Sequence, residues 1–121
     1  MGWKVTIRTG PRVERERYDV LDAALDAVEA RGRELAKTTT TDAVDVRVKR
    51  FDPVQQVTAR IELSGPQRLI PSIHGGVDVR GDGSTEAYVG RVRREVVKQR
   101  KGESAFSALR RAVSNASEEK V

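Results

Sequence analysis

The sequence lacks several residue types that support common functions. It has no cysteine, a single histidine, and five aromatic residues among 121. Without cysteine there is no disulfide framework, no thiolate nucleophile and no cysteine metal site, so we predict a reducing, cytoplasmic setting. No apolar run approaches the ~20 residues of a membrane-spanning helix, and the amino terminus has no secretory signal stretch. We therefore expect no membrane partner.

Charge, in contrast, is plentiful. Charged residues make up 34% of the chain and hydrophobic residues 37%, and the formal net charge is +5. Residues 86–111 hold eight basic and three acidic residues, so this window alone carries an excess equal to that of the whole chain. A basic balance permits a polyanion partner, but charge runs also occur on faces that merely contact solvent. Both interpretations stay open at this level.

The amino-terminal third predicts one strand and one helix. Residues 3–8 alternate apolar and polar side chains, which is typical of a half-buried strand, and a charged connector follows Gly10 and Pro11. From Asp19 to about residue 36 apolar residues recur at helical spacing. Gly32 in this helix indicates a close contact between helix and sheet. The polar run of residues 38–41 reads as a linker.

The middle of the chain predicts strands at residues 44–50, 57–63 and 73–80, the last paired with the segment that follows Asp82 and Gly83. A two-residue turn there would pair Val77 with Tyr88 and bury both. A three-residue turn would instead pair Val77 with Ala87. We favour the first register, although a one-residue slip reverses every face of a strand. Residues 86–99 fit a strand or a helix, and the strand interpretation is preferred.

The last element is a helix from about residue 103 to 115, and residues 117–121 read as a frayed tail. The predicted order is β-α-β-β-β-β-α. Each strand has one apolar and one polar face, which indicates an antiparallel sheet with helices on one side and water on the other. We therefore predict an α+β fold, with about five strands and both helices on one face, in a single domain over residues 1–116.

Two stretches, "GPRVERERYD" and "GVDVRGDGSTEAYVGRVRR", resemble small conserved proteins of unknown function from high-GC bacteria, a resemblance that implies no activity. In topology alone, a βαβββα order is similar to the ribosome-hibernation and double-stranded-RNA-binding folds. This similarity slightly favours RNA as a partner. It rests on no matching motif, and the chain has an additional predicted strand.

Catalytic and metal sites have weak support. His74 has Ser72 and Asp78 near it on one predicted strand, but no nucleophile-elbow pattern is present. Asp82 and Glu86 with Asp78 superficially resemble a calcium loop, yet a hairpin turn explains them. Neither phosphate-loop pattern occurs. We predict a protein that is not an enzyme, with no catalytic residue, no metal and no cofactor.

The polar face of the predicted sheet is basic. It collects eight cations against Asp45, Glu62 and Asp78, and no aromatic residue is expected on it. We predict a non-enzymatic module whose open face contacts a polyanion, RNA or DNA backbone above all. The predicted contact residues are Arg47, Lys49, Arg60, Arg80, Arg91 and Arg93. The alternative is a protein-interaction module with no nucleic acid. It would pair with a second copy or an acidic protein through the open face or through residues 3–8, which we expect to form an edge strand.

Overall fold

Six strands and two helices make up the described part of the chain. A computed structural model describes residues 2–45, 57–65, 73–90 and 94–119. The elements are β1 (Trp3–Thr9), β2 (Arg12–Tyr18), α1 (Leu21–Asp45), β3 (Val57–Ser64), β4 (His74–Arg80), β5 (Thr85–Val89), β6 (Glu95–Val96) and α2 (Ala105–Glu119). The strands form one antiparallel sheet in the order β2-β1-β3-β4-β5-β6. The predicted α+β fold is confirmed, with six strands rather than about five.

Strand β2 replaces the predicted charged connector. It pairs with β1 along its whole length, from Thr9 opposite Arg12 to Trp3 opposite Tyr18. The turn between them has Gly10 at φ 57° followed by Pro11, whose ring fixes φ near about −65°. This sign pattern is that of a type II′ turn, which connects two strands with the correct twist. Strand β1 is therefore an interior strand, and the prediction that residues 3–8 form an edge was wrong.

Helix α1 is longer than predicted. It continues through the threonine run, where the Thr38 hydroxyl donates a hydrogen bond to the Glu34 carbonyl oxygen at 3.0 Å, and it ends at Asp45. The local bond satisfies a side chain that would otherwise compete with the helix. The predicted linker at residues 38–41 was wrong, as was the start of the predicted strand at residue 44. Residues 46–50 lie outside the described part of the chain.

Both helices pack on the same face of the sheet. The buried cluster combines the apolar side of the central strands with one stripe of each helix, as the alternation and the helical spacing indicated. Its fully buried larger side chains are Val5, Ile7, Val28, Ile61, Leu63, Val77, Leu109 and Val113. The opposite face of the sheet has no described helix on it. We call that side the open face.

Gly32 brings the two helices together. A Cβ atom at this position would lie 2.3 Å from Cε1 of Phe106 in α2 and 3.2 Å from Cδ1 of Ile61 in β3. Glycine therefore lets the Phe106 ring enter the space between α1 and the sheet. The predicted close contact exists, but its tightest partner is the second helix rather than the sheet. In the segment before α2, the Ser104 hydroxyl accepts a hydrogen bond from the Ser107 amide at 3.1 Å, which is a helix cap.

The β4–β5 hairpin adopts the register that the sequence made second choice. Val79 lies opposite Thr85 and Val77 opposite Ala87, so the preferred register, with Tyr88 opposite Val77, was wrong. The three-residue loop has Gly83 at φ 85°, and the Arg80 amide donates to the Ser84 carbonyl oxygen at 2.9 Å. The Asp82 carboxylate also accepts bonds from the amide and hydroxyl of Ser84 at 2.9 and 2.6 Å.

This register reverses the faces of β5. Ala87 points to the core, and Tyr88 lies on the open face opposite Gly76. The strand ends at Val89. Gly90 follows it with φ 103°, and β6 pairs with the end of β5. Residues 91–93 between them are outside the described part. Neither helix in the described residues combines the length and the apolar character needed to cross a membrane.

Candidate anion-binding face

The cross-strand registers fix which side chains share the open face. From the β2 edge to the β6 edge, the described charged and aromatic residues on it are Arg15, Arg17, Lys4, Arg8, Arg60, Glu62, His74, Asp78, Arg80, Glu86 and Tyr88. All lie at positions that alternate along the strands with those facing the helices, such as Ile7, Ile61 and Val77. Basic residues outnumber acidic ones on this face. Some of the basic residues pair with a carboxylate, and for others no such partner is described.

On β3, β4 and β5 each arginine of this face has a carboxylate partner. Arg60 binds both oxygens of Asp78, at 2.6 and 3.3 Å, and Arg80 binds Glu86 at 2.6 Å. The Arg60–Asp78 bond raises the pKa of Arg60, and the two side chains are only 29% and 15% exposed. We call Arg60, Asp78, Arg80 and Glu86 the ion-paired patch. Its positive charge is neutralised within the sheet.

On β1 and β2 the open face is different. Lys4 lies directly opposite Arg17, and Arg15 is two cross-strand pairs further along, opposite Thr6 on the same face. Like charges placed directly opposite in an antiparallel pair destabilise it. Within the described residues no carboxylate pairs with any of these three cations, and both arginines are exposed. We call Lys4, Arg15 and Arg17 the basic patch.

Arg8 lies between the two patches. It is opposite Arg60 on β3, and its guanidinium binds Glu62 at 3.2 Å. This pair is about half exposed on the arginine side, at 48%, so its net contribution to stability is small. Arg8 can therefore leave Glu62 for a stronger anion at little cost.

The predicted contact residues have different outcomes. Arg60 and Arg80 lie on the open face, as expected, but both are engaged in the ion-paired patch. Arg47, Lys49, Arg91 and Arg93 lie outside the described residues, and their contact roles stay predictions. The register that assigned the last two to the open face is not the one that β5 adopts.

Two cations of α2 that the sequence suggested as an extension of the basic surface are elsewhere. Arg110 pairs with Asp26 of α1 at 2.6 Å, and Arg111 with Glu103 at 3.0 Å. The Arg111 bond is the main reason why the pKa of Glu103 falls to about 2. Both arginines belong to the helical side of the molecule.

Tyr88 is the aromatic residue that the sequence did not predict here. Its ring lies over Gly76, where a Cβ atom would be 2.6 Å from the tyrosine hydroxyl oxygen. The guanidinium carbons of Arg94 and Arg60 lie 4.9 and 5.8 Å from the ring centroid, within the range of a cation–π contact. Burial raises the pKa of Tyr88 to about 12, and the charge of Arg94 acts in the opposite direction.

A groove of about 350 Å³ connects this tyrosine with the basic patch. Its charged and aromatic walls come from β1, β3, β4, β5 and the segment after β5. These walls include Lys4, Arg8, Glu62, His74, Tyr88 and Arg94. Four of these six are basic or can become so by protonation. The groove is therefore suited to an anion rather than to an apolar ligand.

Arg15 and Arg17 are functional candidates that sequence reasoning missed. The stretch "RVERER" looked like a connector because it has almost no apolar residue. Its signal was charge rather than hydrophobicity, since arginine and glutamate alternate with the period of two that a strand requires. The arginines therefore share the open face, and Glu14 on the other face binds Arg31 of α1.

The catalytic and metal candidates of the sequence lie partly within the described residues. Asp78, which the sequence suggested near His74, has Arg60 as its partner, and Ser72 is outside the described residues. Among residues 2–45, 57–65, 73–90 and 94–119 no group of three potential ligands could hold a metal ion. No protein-family model, no curated protein and no solved structure matches the chain.

Proposed function

We propose that this protein is a nucleic-acid-binding module whose open face contacts the phosphate backbone through the basic patch and the adjoining groove. The observation that carries the proposal is the pair of like charges, Lys4 directly opposite Arg17, with Arg15 beside it. The same sheet neutralises its other open-face arginines with carboxylates. A cluster of cations with no such partner among the described residues is suited to an external anion.

The dimensions of the face also support a polymeric anion. From β2 to β5 the sheet spans four strand intervals, about 19 Å at ~4.8 Å each. Cations occur at both ends of this span, Arg15 and Arg17 on β2 and Arg94 beyond β5. A single phosphate would contact one end only, whereas a backbone with regularly spaced phosphates can contact both.

The proposed contact residues therefore change from the sequence prediction. Lys4, Arg15 and Arg17 are the primary phosphate contacts, and Arg8 joins them on leaving Glu62. Arg60 and Arg80 stabilise the sheet rather than bind the ligand, because each already has a carboxylate partner.

The test is binding to mixed-sequence RNA and DNA at several salt concentrations. Each phosphate contact contributes roughly 0.7–0.9 to the slope of log K against log salt. The Lys4→Gln, Arg17→Gln double variant should therefore lower the magnitude of that slope by roughly 1.5 and weaken binding at about 50 mM salt.

The matched control removes the same charge from the opposite side of the molecule. Arg33→Gln with Lys37→Gln removes two cations of α1, which packs on the face of the sheet opposite the open face. This control should leave the slope close to that of the wild type. Absence of any binding at about 50 mM salt, or an equal loss in both double variants, would contradict the proposal.

Self-association through the sheet edge, the alternative from the sequence, has less support. The long edge is β2, and antiparallel pairing about a two-fold axis keeps the open faces of both copies together. Arg15 and Arg17 of one copy would then lie among the same cations of the other, which disfavours pairing. Light scattering on the eluted protein tests this alternative, and a dimer that survives high salt would favour it.

A further inference from the structure

We propose that the groove is selective for single-stranded nucleic acid and holds one unpaired base against the exposed side of Arg94, whose other side lies on Tyr88. This inference rests on the proposed function and names its ligand more narrowly. The sequence suggested contacts to the backbone alone, because no aromatic residue was expected on the open face. Tyr88 changes that expectation.

Tyr88 and Arg94 form the beginning of a stack. The Arg94 guanidinium carbon lies 4.9 Å from the ring centroid, while Arg94 itself is an exposed residue. The Tyr88 ring packs against Gly76, and Tyr88 is only 5% exposed. A planar guanidinium held in this way offers its outer face to a base, and bases in single strands stack on arginine planes as well as on aromatic rings.

Arg94 is better suited to this role than Arg60, the other arginine near the ring. Arg60 lies further from the centroid, at 5.8 Å, and Asp78 holds its guanidinium in a bidentate pair. No described carboxylate pairs with Arg94. Its guanidinium is therefore the one that can accept a ligand without breaking an ion pair.

The groove supplies the phosphate contacts next to this stack. Lys4 and Arg8 line it on the β1 side, and Arg94 lines it on the β5 side. A strand that crosses the sheet from the basic patch would bring a base to Tyr88 after about 19 Å, four strand intervals. In a duplex the bases are stacked on one another and cannot lie flat on Arg94, so a single strand is the better fit.

The experiment compares two probes that carry the same number of phosphates. One is an oligothymidylate of about eight nucleotides, within the range of known single-strand sites, and the other is its abasic counterpart. Both are titrated against the wild-type protein and against Arg94→Lys, which keeps the charge and removes the planar surface. Lys98→Arg is the control for a conservative exchange in the same segment, and thermal unfolding verifies that each variant is folded.

Stacking of a base contributes roughly a tenfold or larger gain in affinity. We therefore expect the wild-type protein to bind the intact oligomer at least tenfold more tightly than the abasic one, and Arg94→Lys to remove most of that difference. The abasic oligomer should bind both proteins equally. A hairpin duplex with a similar number of phosphates should bind more weakly than the intact single strand.

Equal affinity for the intact and abasic oligomers would overturn the inference, even with wild-type protein alone. If that binding is steeply salt-dependent, the proposed function stands and only the base contact fails. If neither oligomer binds, and mixed RNA and DNA do not bind either, both proposals fail together. Preference for the duplex over the single strand would also overturn the choice of ligand made here.

Discussion

The two patches of the open face differ in how their charges are partnered, although they lie on one sheet. In the ion-paired patch, Arg60 and Arg80 each have a carboxylate at 2.6 Å. In the basic patch, Lys4 opposes Arg17 and no described carboxylate compensates either charge. A surface designed only to remain soluble would use the first arrangement throughout, because cross-strand pairs of opposite charge stabilise a sheet.

This difference in ion pairing indicates which arginines are candidate binding residues. A count of the cations on the open face gives Arg60 and Arg80 the same weight as Arg15 and Arg17. Their partners distinguish them, because an arginine that binds a carboxylate must lose that bond before it binds a phosphate. Substitutions in the two patches should therefore differ in their effect on stability.

The largest effect is expected at the close packing beside the ion-paired patch. A Cβ atom in Gly76→Ala would lie 2.3 Å from the Ile61 carbonyl oxygen and 2.6 Å from the Tyr88 hydroxyl oxygen. Because one of these atoms is backbone, β3 and β4 must move apart, and we expect a loss of about 2–4 kcal/mol in the free energy of unfolding. Denaturant titration measures it.

Thr6→Ala is the control for this substitution. Thr6 belongs to the same cross-strand row, opposite Glu62, on the β1 side of the face. The exchange shortens a side chain and creates no clash, so the loss should be about 1 kcal/mol or less. Equal losses in the two variants would mean that the packing at Tyr88 is not special to its side of the sheet.

A middle-sized effect is expected when an ion pair is broken. Asp78→Asn leaves the largely buried Arg60 without its carboxylate, and we expect the free energy of unfolding to fall by about 1–3 kcal/mol. The more exposed partner of the same patch gives the comparison, since Glu86 is 40% exposed and Glu86→Gln should cost less than about 1 kcal/mol. Chemical denaturation of both variants at low salt checks the order, which would be reversed if Arg60 and Asp78 were not coupled.

The smallest effect should have the opposite sign. Lys4→Gln removes one of two like charges that face each other, so it should raise the free energy of unfolding by a few tenths of a kcal/mol at low salt. Screening reduces the repulsion, so the gain should shrink as salt rises towards about 1 M. Thermal unfolding across a salt series measures it. A clear loss of stability at low salt would show that the Lys4 ammonium has a stabilising partner, against the comparison drawn above.

Much of the fold could be predicted from periodicity. Trp3, Val5 and Ile7 alternate with polar residues, and β1 is a strand with those three side chains buried. The alternation over β3 and the helical spacing in α2 were equally informative, because apolar side chains at the period of an element report which side is buried. Strand β2 could not be predicted in this way, because the residues that alternate along it are charged rather than apolar. Its pairing with β1 could not be predicted either.

The candidate site could be predicted only in part. A basic open face followed from the sequence, but its partners did not, because the residue opposite Lys4 depends on a strand that was missed. The β4–β5 register could not be chosen either, since a two-residue and a three-residue loop can both use Gly83. The deciding contacts are those of Asp82 with Ser84, which favour the longer loop.

The class of the fold and the basic character of its open face follow from the order of residues, because apolar spacing and net charge are properties of the chain. Tertiary structure alone decided which cations are neutralised and that Tyr88 lies among them. Pairing is a relation between strands that are far apart in sequence, as Arg60 and Asp78 are, and a shift of one residue exchanges the two faces of a strand. For that reason the same basic composition gave a neutralised patch on β3 to β5 and, on β1 and β2, a patch that no described carboxylate compensates.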